Sequence, residues 1–214
     1  MTDDLDAALK RALDLALAGG ALAVTWPALV AVAAAIKLED GGSALYVQER
    51  VGRFGRPFRL LKFRTMRQRP PESAGLQITV GDDDRVTRLG RLLRRTRLDE
   101  LPQLLNVLRG EMSVVGPRPE VPRYVALYDD EQRAVLEARP GLTDPATLAF
   151  RGEAELLGSS DDPEKTYIEE VMPKKLAMNL DYLQARDVGT DLSLILQTVL
   201  ALAGDELERS GDES

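Results

Sequence analysis

An almost continuously apolar run from Ala12 to Ile36 constrains this chain more than any other feature of its sequence. Asp14 and Thr25 are its only polar interruptions, and the run exceeds the roughly 20 residues that a helix needs to cross a bilayer. A secretory signal peptide is a poor alternative, because the run is too long and shows no clear cleavage site. A core helix buried in a soluble domain stays open as an alternative, since the run is rich in alanine.

The middle and the ends of this run favour a re-entrant hairpin over a simple span. Pro27 removes a backbone hydrogen bond in the helix interior and kinks the helix there. Lys10 and Arg11 before the run and Lys37 after it place positive charge at both ends, so the positive-inside rule prefers neither direction. We therefore predict that residues 1–40 form a membrane helix-hairpin bent at Pro27, with both ends on the cytoplasmic side.

The absence of two residue types narrows the chemistry that this chain can perform. Without cysteine, it can form neither disulfides nor zinc–thiolate sites and has no thiol nucleophile. Without histidine, it cannot build a Ser-His-Asp triad, a histidine general base or a histidine-ligated metal. Any chemistry must therefore rest on carboxylates, lysines, arginines, hydroxyls or an oxygen-ligated metal such as Mg2+.

Charge is distributed unevenly along the chain. Residues 47–118 hold 16 basic and 8 acidic residues, whereas residues 119–214 hold 9 basic and 21 acidic ones. The basic segment suits an anionic partner such as phosphate or anionic lipid, and a solvated basic face is the alternative. Nucleic acid is not an expected partner, because aromatic residues are 5% of the chain and form no stacking array among the arginines.

The remaining patterns predict an α/β fold with mostly helices, in which a small globular domain carries short strands and amphipathic surface helices. Leu89, Leu92 and Leu93 form an apolar stripe among arginines, which predicts a basic amphipathic helix suited to a membrane surface. A second helix follows and ends at Gly110. The other predicted elements are strands at 45–47 and 58–61, an exposed loop at 68–84, and helices at 129–138, 164–186 and 191–207.

Two adjacent carboxylates, Asp99 and Glu100, begin the second of these helices. Free N–H groups and the helix dipole stabilise carboxylates at such a position, so an ordinary acidic helix start explains them fully. Arg94, Arg95 and Arg97 lie just upstream, however, and arginine binds phosphate through paired hydrogen bonds. We expect this cluster to lower the pKa of the neighbouring carboxylate. The ionised group would then act as a nucleophile or hold Mg2+.

Eight motifs, in a fixed order from about residue 8 to residue 145, resemble those of the bacterial sugar transferase family, the monotopic phosphoglycosyl transferases. Any one of them could arise by chance, whereas eight in the family's order are highly specific. They are Lys10-Arg11 with Asp14; Pro27 in the apolar run; Gln48–Gly52; Gly55–Phe58; Lys62–Met66; Asp84–Gly90; Leu98–Leu108; and Met112–Pro119.

The resemblance implies an enzyme that transfers a sugar 1-phosphate from a UDP-sugar to polyprenyl (undecaprenyl) phosphate and releases UMP. It implies that Asp99 is the nucleophile, forming a covalent phosphosugar intermediate, and that Glu100 assists; both would hold Mg2+. It also implies a cytoplasmic catalytic domain over residues 41–214, on the inner leaflet of the bilayer, with a homodimer left open. The phosphate-binding residues that it implies are Lys62, Arg64, Arg94, Pro117 and Arg118.

The chain departs from the family pattern in three places. Trp26 precedes Pro27 where a small polar residue is usual, and Gly42-Ser43 stands where Gly-Pro is frequent. The third departure is the segment from Asp144 to Glu153. This segment resembles the small initiating transferases of bacterial protein N-glycosylation, which use a UDP-linked diacetamido-trideoxyhexose.

Two other functions compete with the transferase. A non-catalytic, membrane-docked module that binds anions would explain the basic segment, although Asp99 and Glu100 would repel phosphate in the absence of a metal. A soluble nucleotide-binding enzyme is less favoured, because the chain has no glycine-rich phosphate loop of either common type.

Overall fold

The computed structural model describes residues 2–67 and 85–212, so the loop predicted at 68–84 lies outside the described residues. The strands are β1 (Leu45–Val51), β2 (Pro57–Phe63), β3 (Ser113–Val115) and β4 (Gly141–Thr143). The helices are α1 (Thr2–Asp40), α2 (Arg88–Arg95), α3 (Gln103–Arg109), α4 (Pro122–Val125), α5 (Pro145–Ala149), α6 (Glu153–Gly158), α7 (Pro163–Thr166), α8 (Met172–Ala185) and α9 (Val188–Asp212). The prediction of an α/β chain with mostly helices and short strands is confirmed.

The apolar run forms the centre of α1, a helix of 39 residues that stays helical on both sides of Pro27. Its segment Leu5–Glu39 has a mean hydropathy of 1.9 and is long and apolar enough to cross a membrane by length and composition. Because 6% of the most apolar window is buried, α1 is not the buried core helix that the alanine content left open. The bend into a hairpin inside the bilayer stays a prediction.

Polar side chains near the start of α1 fasten it to the rest of the protein. Lys10 donates to the carbonyl of Val115 and pairs with Asp191 on α9 at 2.5 Å. Asp14, which is 4% exposed, accepts hydrogen bonds from the hydroxyl of Ser113 and the backbone N–H of Val114, both at 2.9 Å. These buried bonds hold α1 against β3 and α9.

Arg11 makes a third attachment, at the end of α3. Its guanidinium donates to the carbonyls of Val107 and Leu108 at 2.8 and 3.2 Å. Helix-terminal carbonyls have no partner within their own helix, so an arginine there satisfies them. Lys10 and Arg11 were predicted as flanking positive charges, and the structure shows that they also anchor the membrane helix to the domain.

The two halves of α1 pack on the same domain through separate apolar clusters. Ala18 lies in one cluster with residues of β2 and α3, and Ile36 lies in another with Phe63 and Leu93. Between them, Val24 and Trp26 are 80% and 60% exposed. Both halves of the helix therefore touch the domain, and a short stretch around Val24 and Trp26 between the two contacts is left exposed.

The predicted strands pair as an antiparallel hairpin. β1 and β2 are in register from Leu45 opposite Phe63 to Val51 opposite Pro57, and both strands are longer than predicted. The turn between them is a 3-10 segment, Arg53–Gly55, in which Gly55 has a φ of +74° that glycine adopts without strain. This hairpin carries Arg50 and Lys62 to the candidate site.

Several local predictions need correction. The helix predicted at 129–138 is a 3-10 segment at Gln132–Glu137, since its last turn is followed closely by Pro140 and cannot extend. The parallel pair β3–β4 was not predicted, because three-residue strands give too short an alternation to recognise. The segment 114–119 contains no helix. The helix predicted at 164–186 is confirmed as α7, a π-helical turn and α8.

The leucine stripe of α2 faces the protein more than it faces outward. Leu93 is 1% exposed and packs with Ile36 and Phe63, and Leu89 is partly buried against the same cluster. Leu92 is 45% exposed and is the member of the stripe that stays accessible. The apolar side of α2 thus packs into the core of the protein. The location of α2 on a membrane surface stays a prediction.

Candidate active site

Asp99 and Glu100 lie in a 3-10 turn, Leu98–Glu100, immediately before α3. Arg97 enters this turn in the left-handed region at φ 57°, which an arginine rarely adopts. Both carboxylates are 7% exposed, although aspartate and glutamate are seldom buried without partners. The sequence predicts these carboxylates at the start of the helix, whereas the structure places them in a 3-10 turn before α3, with both side chains buried.

Glu100 is held by cations from two distant segments. Its Oε1 accepts from Nζ of Lys62 on β2 at 2.8 Å and from Nη2 of Arg118 at 2.5 Å. Its Oε2 lies 3.4 Å from Nη1 of Arg118, which makes the arginine contact two-pronged. The guanidinium of Arg97 lies 3.9 Å from Oε1. Glu100 is thus the centre of a compact ionic cluster.

The charges and the burial of this cluster shift the pKa values of its members in different directions. Arg118 and Lys62 hold the pKa of Glu100 well below its ordinary value, despite the opposing effect of burial. Glu100 in turn raises the pKa of Arg118, and burial lowers the pKa of Lys62. These cations therefore favour the ionised form of Glu100, which acts as their counter-charge.

Asp99 has a different environment. Its Oδ1 atom is buried and has no hydrogen-bond partner among the described residues. Burial, and next the negative charge of Glu100, raise the pKa of Asp99, against the smaller lowering effects of Lys62, Arg94 and Arg97. The lowered pKa expected from the arginine cluster is therefore wrong for Asp99, because the desolvation of the carboxylate and its repulsion by Glu100 outweigh the arginines.

Arg94 reaches the site because α2 lies directly on the backbone of the segment after β2. A Cβ placed on Gly90 would lie 2.1 Å from the carbonyl oxygen of Thr65, so no larger residue fits. Thr87 caps the helix by accepting from the N–H of Gly90 at 2.9 Å. The Nε of Arg94 then donates to the hydroxyl of Thr65 at 2.8 Å and places its charge near Asp99.

The structure thus brings together Asp99, Glu100, Lys62, Arg94 and Arg118, five of the predicted site residues. The other two are placed less directly, and their roles stay predictions. Arg64 is 7% exposed, and its guanidinium lies against Gly42, where a Cβ would fall 2.1 Å from Nη1. Pro117 is buried, accepts from the N–H of Gly141 at 2.9 Å, and lines a small cavity of about 30 Å3 beside Arg118.

The acidic residues of the site meet the needs of Mg2+ only in part. Within residues 2–67 and 85–212, no three histidine, cysteine, aspartate or glutamate side chains converge as a ready-made metal site. Asp99 fits, because Oδ1 is free to accept a cation, and Mg2+ takes one or two carboxylates together with substrate phosphates and waters. Glu100 fits less well, since both of its oxygens already accept from Arg118. Both assignments stay predictions.

A cavity of about 310 Å3 opens beside the ionic cluster and was not predicted from the sequence. Lys62, Arg97 and Arg118 are among the residues that line it, together with residues between Thr147 and Asn179. The sequence holds one weak signal for this cavity, since Asn179 is a polar residue among the inward-facing residues of α8. A second unpredicted group is Gln103, whose Nε2 is buried without a partner in the described part of the chain, one turn after Asp99.

Comparison with known proteins places the chain among enzymes of membrane sugar-phosphate transfer. A family model described as bacterial sugar transferase matches residues 5–205. A UDP-glucose:undecaprenyl-phosphate glucose-1-phosphate transferase of Caulobacter vibrioides is 43% identical over 199 residues, which cover 90% of this chain and 69% of that protein. The exopolysaccharide production protein ExoY of Rhizobium meliloti is 35% identical over 207 residues, covering 90% of this chain and 84% of that protein.

A further relative acts on another sugar. The UDP-N-acetylgalactosamine-undecaprenyl-phosphate N-acetylgalactosaminephosphotransferase of Aeromonas hydrophila is 35% identical over 194 residues, covering 89% of this chain and 43% of that protein. The names of these relatives share undecaprenyl phosphate but differ in the sugar that is transferred. Similarity of this degree thus indicates the type of reaction and leaves the sugar open.

Proposed function

The chain belongs to the bacterial sugar transferase family, and on that premise we propose that it transfers a sugar 1-phosphate from a UDP-sugar to undecaprenyl phosphate. UMP is the other product. The observation that carries this proposal is the contrast between the two carboxylates. Glu100 is saturated by Lys62 and Arg118, whereas the buried Oδ1 of Asp99 accepts no hydrogen bond from any described residue. One carboxylate is fixed and the other is available to react.

In the first step, a carboxylate oxygen of Asp99 attacks the phosphorus that bears the sugar. A bond forms between that oxygen and phosphorus, and the bond from phosphorus to the bridging oxygen breaks, so that UMP leaves with its electron pair. In the second step, a phosphate oxygen of undecaprenyl phosphate attacks the same phosphorus and releases the Asp99 carboxylate. The second product is undecaprenyl diphosphate-linked sugar, and no histidine or cysteine is needed.

The cations of the site suit this chemistry. Lys62, Arg97 and Arg118 line the cavity next to the ionic cluster and offer donors to the diphosphate. Lys62, Arg94 and Arg97 partly offset the rise in the pKa of Asp99 that burial and Glu100 cause, and so favour its ionised, nucleophilic form. Asp99 would also offer an oxygen to Mg2+, which when bound neutralises charge on the leaving phosphate.

The proposal includes a monotopic arrangement at the cytoplasmic face of the membrane. Its support is that both halves of α1 contact the domain, at Ala18 and at Ile36, while Val24 and Trp26 between them are exposed. A helix that crossed the bilayer once would carry one of its ends away from the domain. An insertion bent near Pro27 keeps both ends together, with its uncovered middle in lipid.

The non-catalytic anion-binding module is less well supported by the same contacts. A module that only binds anions would leave its cations available to the ligand. Here Lys62 and Arg118 already bind the buried Glu100, and a second carboxylate, Asp99, lies beside them. Two buried acids weaken anion binding and are useful only if one of them reacts.

The experiment is UMP release by purified protein supplied with Mg2+, undecaprenyl phosphate and a panel of UDP-sugars. We expect release with at least one sugar and its loss in Asp99→Asn, with Asp181→Asn, an exposed acid on α8, as the control. With undecaprenyl phosphate omitted, the unaltered protein should gain the mass of one sugar phosphate and Asp99→Asn should not. Release of UDP instead of UMP would contradict the proposal, and full turnover by Asp99→Asn would remove that residue from the nucleophile role.

A further inference from the structure

The residues that line the cavity of about 310 Å3 include two chemically different groups. Lys62, Arg97 and Arg118 form the first group, which would face the diphosphate of a UDP-sugar in the proposed function, on which this inference rests. The second group comes from the segment that contains α5 to α8. The volume of the cavity lies at the lower end of the range of small-molecule sites, about 300–1,000 Å3. A group attached to the bound phosphate can therefore extend into it.

Asn179 is the most unusual residue of this second group, and it also lines the cavity of about 30 Å3 beside Pro117. It lies on the inward face of α8 with Met172, Leu176 and Tyr182, where apolar side chains are the norm. It is 5% exposed, and its Oδ1 has no hydrogen-bond partner within the described ranges of the chain. Buried polar atoms are almost always paired in folded proteins. An unpaired acceptor beside a cavity indicates that a ligand or a bound water completes it.

Lys175 lies one helical turn before Asn179 and therefore on the same face of α8. Its Nζ is 2.7 Å from Oε2 of Glu153, and both side chains are largely buried at the cavity wall. The lysine also lies 5.7 Å from the ring of Tyr167, which opens a π-helical turn at Tyr167–Val171. Such turns occur frequently at functional sites. The wall thus offers an ammonium, a carboxylate and a carboxamide in one place.

We propose that this cavity receives the hexose of the UDP-sugar, and that Asn179 and Lys175 determine which hexose is accepted. Sugar hydroxyls both donate and accept hydrogen bonds, so a wall with charged donors and acceptors suits them better than it suits a nucleobase, which offers few polar atoms on one edge. The hexose also stays linked to Asp99 after UMP leaves, so a cavity that retains it between the two steps serves the reaction.

The test compares cavity residues with a matched neighbour. Asn179→Leu and Lys175→Met alter the wall, whereas Lys174→Met changes an exposed lysine of the same helix that does not line the cavity. Each protein is assayed for kcat/KM with UDP-glucose, UDP-galactose, UDP-N-acetylglucosamine and UDP-N-acetylgalactosamine, and for inhibition by UMP. We expect Asn179→Leu to lower kcat/KM for the preferred sugar about 10- to 100-fold. The ranking of the four sugars should change, and the inhibition constant of UMP should not.

Three results would overturn this assignment. An equal loss with all four sugars, together with weaker inhibition by UMP, would place the nucleoside in the cavity. An unchanged ranking with lower thermal stability would make Asn179 a structural residue completed by a buried water. Absence of UMP release by the unaltered protein would remove the proposed function and this assignment with it. Asn179→Asp keeps the size of the side chain but replaces its amide donor with a charged oxygen, so it also alters hydrogen bonding to the sugar and should change the ranking if the leucine variant does not fold.

Discussion

Arg118 donates from Nη2 to Oε1 of Glu100 at 2.5 Å. In the chain, Glu100 precedes α3 and Arg118 follows β3, so the contact joins the two segments that flank these elements. This contact closes the candidate site, because it fixes a loop that is rich in proline against the turn that holds Asp99. It also decides the ionisation of the pair of carboxylates. It lowers the pKa of Glu100, whereas burial and the charge of Glu100 raise the pKa of Asp99, so that Asp99 takes up a proton at a higher pH than Glu100 does.

Replacement of Glu100 by glutamine should destabilise the protein. Lys62 and Arg118 would lose their counter-charge in a site where they are 20% and 29% exposed. Allowing for that partial exposure, we expect a loss of about 1–3 kcal/mol in the free energy of unfolding at pH 7. Chemical unfolding in detergent measures it, with the exposed Glu169→Gln as control.

The same variant gives a pH signature with a defined sign. The folded protein lowers the pKa of Glu100, so its stabilising effect is present above the ordinary glutamate pKa and is lost as the pH falls through the lowered value. The difference in stability between the unaltered protein and Glu100→Gln should therefore shrink in acid. A difference that grows in acid would contradict the ionic role of Glu100.

The pH dependence of the proposed reaction should report on Asp99. Burial and Glu100 raise the pKa of Asp99, so activity should decline on acidification at a pH above the ordinary aspartate value of about 3.9. Arg97 lowers this pKa, and Arg97→Gln should therefore move the decline to still higher pH. Profiles of kcat/KM for UMP release measure both effects. An equal displacement in Arg91→Gln, an exposed arginine on α2, would show that the effect is not specific.

Loss of the Asp14 carboxylate should loosen the attachment of α1. Asp14→Ala leaves the N–H of Val114 without its acceptor and removes one of the two acceptors of the Ser113 hydroxyl, which keeps the carbonyl of Val115. We expect a loss of about 1–3 kcal/mol in the free energy of unfolding, measured in detergent. Asp6→Ala, at an exposed position of the same helix, should leave stability unchanged. Equal stability of the two variants would show that these bonds contribute little.

The proposed topology predicts the accessibility of both ends of α1. The chain has no cysteine, so Asp3→Cys and Leu45→Cys each introduce a single thiol. Both should react with a membrane-impermeant maleimide from the cytoplasmic side, since both halves of α1 contact one domain. Reaction of the two positions from opposite sides would replace the hairpin with a single transmembrane span.

Much of the architecture follows from local sequence patterns. The apolar run between Lys10 and Lys37 predicts a long helix, and the short apolar runs on either side of Gly55 predict the strands β1 and β2 but not their pairing. Gly110 ends α3 with a φ of +82°, as its position after the leucine repeat predicts. Such features depend on neighbours within one or two turns, which is why the sequence alone reveals them.

The chain by itself also determines which groups can react. Without histidine or cysteine, chemistry rests on carboxylates and cations, and the motifs around Asp99 place it in its family. The tertiary structure alone decides how those groups behave: Lys62 and Arg118 saturate Glu100, burial raises the pKa of Asp99, and Asn179 faces a cavity without a partner. Desolvation and charge pairing depend on residues that are far apart in the sequence, so no local sequence pattern reveals these effects.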